Sequence, residues 1–96
     1  MSVRDAYKKK AEAEVDLAHA RLAEFKANVK ESKADARITY AKEVDHLEKA
    51  VEDATKMLKE LGEAGEDVWE KLKEGVEGAL RSLSASIKDI ADKIKN

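Results

Sequence analysis

The chain has no cysteine, no proline, four glycines and four aromatic side chains in 96 residues. Without cysteine there can be no disulfide, no thiolate metal ligand and no thiol redox chemistry. Without proline, nothing in the sequence imposes a rigid turn or a helix kink. An excess of one charge is also missing. Nineteen basic against 21 acidic residues give a formal charge of -2, too even to draw a nucleic acid or another polyanion. No run of 18 apolar residues occurs, and Met1-Ser2-Val3-Arg4-Asp5 has no apolar stretch of the signal-peptide kind. The expectation is therefore a cytoplasmic protein without a membrane span.

What the chain does have is charge and alanine. It is 42% charged and 43% hydrophobic, and sixteen of the hydrophobic residues are alanine, which leaves about 25 side chains large enough to anchor a core. Residues 1–96 make a single small domain that must rely on helix packing or on association with other chains. A self-contained enzyme with a deep pocket is disfavoured.

The apolar residues recur at alternating steps of three and four, the pattern of helices packed along a narrow seam. One series runs Ala11, Val15, Ala18, Leu22, Phe25, Val29, Ser32, Ala36. It continues through Tyr40, Val44, Leu47, Val51, Ala54, Leu58 and Leu61. The steps of four around Tyr40 are equivalent to a stutter, which a continuous helix tolerates. The clear break is Leu61-Gly62-Glu63-Ala64-Gly65. Gly62 suits the left-handed residue after a helix end, and Gly65 suits the N-cap of the next helix. A second seam then runs Trp69, Leu72, Val76, Leu80, Leu83, Ile87, Ile90, Ile94. The reading is all-α: a helix over about 3–61, a loop at 62–65 and an antiparallel return helix over about 66–94.

These lengths leave a mismatch, because a helix over 3–61 is ~90 Å long and its return partner only ~45 Å. The seam of Tyr7, Val15, Leu22, Phe25 and Val29 would then have no cover within the chain. A second copy could supply it, so these five residues are the expected oligomer interface, with a dimer as the simplest assembly. The alternative is a three-helix bundle hinged at 31–37. There the like-charged pairs Glu31/Asp35 and Lys33/Arg37 lie four apart, costing ~0.2 to 0.5 kcal/mol each in a helix. No glycine, proline or asparagine is present in that segment to make a turn, and the long helix is the favoured reading.

Few residues invite chemistry. His19 follows Asp16 by three residues and His46 follows Glu43 by three; paired carboxylate-x-x-His motifs supply ligands in di-metal helix bundles. A fold-back centred between Ser32 and Lys33 would bring the two histidines level. Each lies beside the seam and not on it, so solvated flank histidines are the favoured reading, and no metal or other cofactor is expected. Gly62 and Gly65 lack the lysine and the preceding strand of a phosphate loop. Gly75 and Gly78 fall inside the return helix, at a cost of up to ~1 kcal/mol each relative to alanine. Close approach of another helix, or a groove for a large side chain, would account for them. Trp69 is expected to plug the hairpin against Leu58 and Leu61, and Tyr40 to fill the stutter. No catalytic constellation is visible.

The stripe Leu80, Leu83, Ile87, Ile90 and Ile94 is the bulkiest in the chain and could lie on a membrane surface. Asp89 and Asp92 accompany Lys88, Lys93 and Lys95, however, so the polar face lacks the cationic excess that anionic lipid favours. Helix packing is the preferred reading and lipid binding the alternative.

Two segments carry a family resemblance: Ala34-Asp35-Ala36-Arg37 with Tyr40 downstream, and Glu66-Asp67-Val68-Trp69-Glu70 followed by Leu72-Lys73 and Gly75-Val76-Glu77. Over about residues 34–80 the chain resembles a widespread group of small bacterial and archaeal proteins described as coiled-coil-domain or stress-associated proteins. Val68 stands where that pattern has alanine. The resemblance implies a long helix with a short antiparallel return and no known active site. The uncovered seam points separately to a structural or interaction role, as a self-associating scaffold, adaptor or stress-associated assembly module. A helical protein partner is the other expected binding mode.

Overall fold

In a computed structural model, which describes residues 3–31 and 34–95 (the side chains of 34–36, 94 and 95 excepted), the chain is all-helical. Among the described residues there are three helices and no strand: α1 (Val3–Glu31), α2 (Ala34–Glu63) and α3 (Glu66–Lys95). Each is 29 or 30 residues long, or ~45 Å at 1.5 Å per residue. The molecule measures 50 × 20 × 16 Å, so the helices lie side by side.

The single helix expected over 3–61 is thus two helices, α1 and α2. Of the expected hinge at 31–37, Ser32 and Lys33 lie outside the described residues. The break has an energetic reason that local propensity does not contain. A straight helix would leave Val15, Leu22 and Phe25 in water, and burying each such side chain stabilises by ~1.5 to 3 kcal/mol. Interrupting a helix at the surface gives up a few backbone hydrogen bonds worth ~1 kcal/mol each net. Folding back also closes α1, because Arg37 donates from Nη2 to the carbonyl of Lys30 at 3.1 Å.

One core joins all three helices. From α1 it takes Ala11, Val15, Ala18, Leu22 and Phe25; from α2 Val44, Leu47, Val51, Ala54, Leu58 and Leu61; from α3 Trp69, Val76, Leu83 and Ile90. Every one of these was a seam position in the sequence. Tyr7, Val29, Leu72, Leu80 and Ile87 are partly buried against the same core. The seam thought to need a second chain is therefore covered by the chain itself: Val15, Leu22 and Phe25 are buried and Tyr7 and Val29 half-buried. Of the seam residues in the sequence, Ser32 lies outside the described residues, as do the side chains of Ala36 and Ile94.

The α2–α3 turn is shorter than the loop expected at 62–65, since α2 continues through Glu63. Gly62 is helical, and none of the glycines adopts a positive φ. Its use is space: a Cβ there would sit 2.9 Å from Lys8 Nζ, so the small residue lets the α1 lysine lie across the end of α2. Gly65 does act as the N-cap of α3, its carbonyl accepting from the amides of Val68 at 3.3 Å and Trp69 at 3.1 Å. Glu66 and Asp67 in the first turn of α3 suit its positive end.

Candidate interaction grooves

The concave features of the molecule are open troughs between helices. One lies between α1 and α3, has a volume of about 420 Å³, and is lined by Tyr7, Lys10, Ala11, Glu14, Glu77, Leu80, Arg81 and Ser84. Its floor is apolar, from Ala11 and the half-buried Leu80. Its edges carry both signs of charge, Lys10 and Glu14 on α1 and Glu77 and Arg81 on α3. Burial raises the phenol pKa of Tyr7 above its ordinary value, with the nearby charges of Glu77 and Glu14 acting in the same direction. A neutral hydroxyl is held at that end of the trough, 3.4 Å from the Lys73 carbonyl to which it donates.

At the same end of the molecule, Trp69 is buried and its ring meets that of Tyr7 edge-on, with centroids 5.8 Å apart at 73°. The Arg4 guanidinium and the Lys73 ammonium each lie 5.3 Å from the Trp69 ring centre. Arg4 also donates from Nη2 to the Ala64 carbonyl at 2.6 Å. Trp69 is the core residue expected from the sequence, but its aromatic and cationic partners on α1 were not foreseen. The missed signal is that the last turn of α2 has no basic residue, although a helix C-terminus favours one. Arg4 and Lys8 of α1 fill that place from another helix.

The two histidines do not meet. His19 lines the α1–α2 trough of about 410 Å³ with Asp16, Thr55 and Leu58. His46 lines a smaller hollow of about 110 Å³ between α2 and α3, with Glu43, Ser86 and Asp89. The chain does fold back, yet Lys26 pairs with Glu48, a register that puts His19 level with Thr55 and not with His46. Both histidines are exposed. Among the described residues, no group of three or more His, Asp or Glu is placed to hold a metal ion. Glu43 is engaged elsewhere, by an ion pair with Lys93; this bond raises the Lys93 pKa above the ordinary lysine value, against a smaller opposing effect of desolvation. Tyr40 donates to the Lys93 carbonyl at 2.6 Å, so α2 closes the far end of α3 and Tyr40 does more than fill a stutter.

Gly75 and Gly78 have open space around them. A Cβ at either would meet nothing within 4 Å, so among the described residues the expected close approach is not made within one chain. Among the described residues, no helix is long and apolar enough to cross a membrane. Comparison with protein-family models, with curated proteins and with solved structures finds no match.

Proposed function

We propose that the protein is a three-helix bundle that serves as a self-associating interaction module, a scaffold or adaptor whose helix faces do the binding. The observation that carries this reading is the α1–α3 trough. It combines an apolar floor with edges of both charge signs, the chemistry that receives an amphipathic helix bearing mixed charges. Open grooves between long helices suit a helix better than a small molecule, which is usually enclosed over most of its surface. The chain's own outer faces have the same mixed charge, so a second copy is a chemically matched occupant. A role in stress response rests on the family resemblance alone.

The test is the mass of the protein over a concentration series, by sedimentation equilibrium, with Leu80→Glu beside the parent. Association that weakens at least tenfold in the variant supports the trough as the interface. A parent that stays at 10.6 kDa throughout refutes self-association. The competing lipid reading is answered in the same series by co-sedimentation with vesicles of anionic and of zwitterionic lipid, which the proposal expects to leave the protein in the supernatant.

A further inference from the structure

We infer that α1 is an exchangeable helix: two copies of this chain can trade their first helices, each α1 leaving its own α2 and α3 and docking on those of the other copy. The inference rests on the self-association reading but names a different mode from docking in the trough.

Three observations carry it. First, α1 ends at Glu31 and α2 begins at Ala34, so only two residues join helices of 29 and 30 residues. Short connections between packed elements favour exchange when the alternative is a straight continuation. Second, the straight continuation is encoded. The segment Glu31-Ser32-Lys33-Ala34-Asp35-Ala36-Arg37 has no glycine or proline, and the three-four spacing passes from Val29 through Ser32 and Ala36 to Tyr40 with one stutter. Residues 3–63 as one helix would span ~90 Å. Third, α1 cannot leave without a substitute. Its departure uncovers Val15, Leu22 and Phe25 on one side and the core residues of α2 and α3 on the other. The surface that fits this vacated seam residue for residue is another copy's α1.

The exchanged pair rebuilds every contact of the closed chain outside the junction. Arg4 reaches the Ala64 carbonyl of the other copy, and Lys26 pairs with the other copy's Glu48. What differs is the junction and the concentration. The closed chain keeps the Arg37 bond to the Lys30 carbonyl, whereas a continuous helix would set Glu31/Asp35 and Lys33/Arg37 as like-charged neighbours four apart. It also presents α1 to its own seam at an effective concentration of roughly millimolar. The closed monomer therefore prevails in dilute solution, and the exchanged dimer forms when concentrated protein refolds.

The test uses the absence of native cysteine. Lys26→Cys with Glu48→Cys places one thiol on α1 and one on α2 where the two helices pair. The protein is unfolded and refolded at high and at low concentration, the dimer is isolated, and a short bismaleimide is added before denaturing electrophoresis. Exchange predicts covalent dimers from the dimer fraction and covalent monomers from the monomer fraction. A dimer that yields only internally bridged monomers overturns exchange while leaving trough docking intact.

A second pair of variants keeps the outcome decisive if the parent gives little dimer. Ser32→Ala with Lys33→Glu raises helix propensity and turns one repulsive pair into an attractive one, which should favour the straight junction about tenfold per chain. Ser32→Gly with Lys33→Gly should abolish the interchain product. If the helix-favouring variant refolds at high concentration without any interchain product, α1 does not exchange.

Discussion

Arg4, in the second residue of α1, donates to the carbonyl of Ala64, just beyond α2, across 2.6 Å. A helix end is thus completed by a different helix. The same device recurs at the other two ends, where Arg37 of α2 donates to the Lys30 carbonyl of α1 and Tyr40 of α2 to the Lys93 carbonyl of α3. Each bond satisfies an acceptor that its own helix leaves open, and each works only when the helices lie side by side. Capping and packing are therefore one cooperative event in this protein.

Removing the first of these caps should be costly for a residue so near the chain end. Arg4→Ala loses a charged hydrogen bond and the contact with the Trp69 ring, and we expect destabilisation by about 1 to 2 kcal/mol. Urea denaturation followed by the fluorescence of Trp69 reads it. Arg4→Lys should recover only part of the loss, because an ammonium cannot both reach the carbonyl and lie flat against the indole. A change within ±0.3 kcal/mol for Arg4→Ala would show that the bond contributes nothing net.

The glycines of α3 offer the opposite sign. Gly75 and Gly78 are helical, with space around them, so Gly75→Ala and Gly78→Ala should each raise stability by about 0.5 to 1 kcal/mol. Thermal or urea midpoints of the dilute protein check this. A stabilised monomer that associates more weakly would place the small residues at the interface between copies, whereas destabilisation of the monomer would contradict the open surroundings.

In the core, Leu47 and Leu61 are almost fully buried, at 0% and 1% exposure. Leu47→Ala should cost about 2 to 5 kcal/mol, a large part of what a small domain possesses. By contrast, His19→Ala with His46→Ala should shift stability by less than about 0.5 kcal/mol. Equal metal content in parent and double variant, measured after mild purification, is the expected result; metal bound by the parent and lost from the variant would revive the ligand reading.

How much of this was legible in the sequence can be traced residue by residue. The seam positions Val15, Leu22, Leu47, Val51, Leu58, Val76, Leu83 and Ile90 are all core, because periodicity reports directly which face of a helix is apolar. The N-cap at Gly65 was legible for the same local reason. The break between α1 and α2 was legible only as the alternative of a hinge at 31–37: the like-charged pairs Glu31/Asp35 and Lys33/Arg37 count against a continuous helix by a few tenths of a kcal/mol each, and the deciding contribution is burial of Leu22 and Phe25 against residues far along the chain. The reach of Arg4 to Ala64 was equally hidden, being a contact over 60 residues of sequence. Gly62 was misread because its small size serves Lys8 and not a left-handed turn. A fold-back centred between Ser32 and Lys33 would have set His19 and His46 level, but the register of α1 on α2 places them apart, and both are exposed on the flanks of the seam.

Alkaline pH should loosen the fold in a defined window. Tyr7 and Lys93 both have pKa values raised above the ordinary 10.0 and 10.5, Tyr7 by burial first and Lys93 by its bond to Glu43 first. The folded state holds these protons more tightly than the unfolded chain, so their contribution is complete below about pH 10 and is lost as pH rises through the folded values. Denaturation midpoints should be flat from pH 8 to about pH 9.5 and fall beyond. Tyr7→Phe should make the fall shallower, and an unchanged profile would remove Tyr7 from the account.

The most direct measurement is small-angle X-ray scattering with absolute mass on one dilution series. The account predicts 10.6 kDa with a radius of gyration near 15.3 Å at the dilute end, and twice that mass as concentration rises. A particle of 10.6 kDa at every concentration would contradict the assembly role, and a rod of ~90 Å at the dilute end would contradict the closed arrangement of α1 on its own α2 and α3.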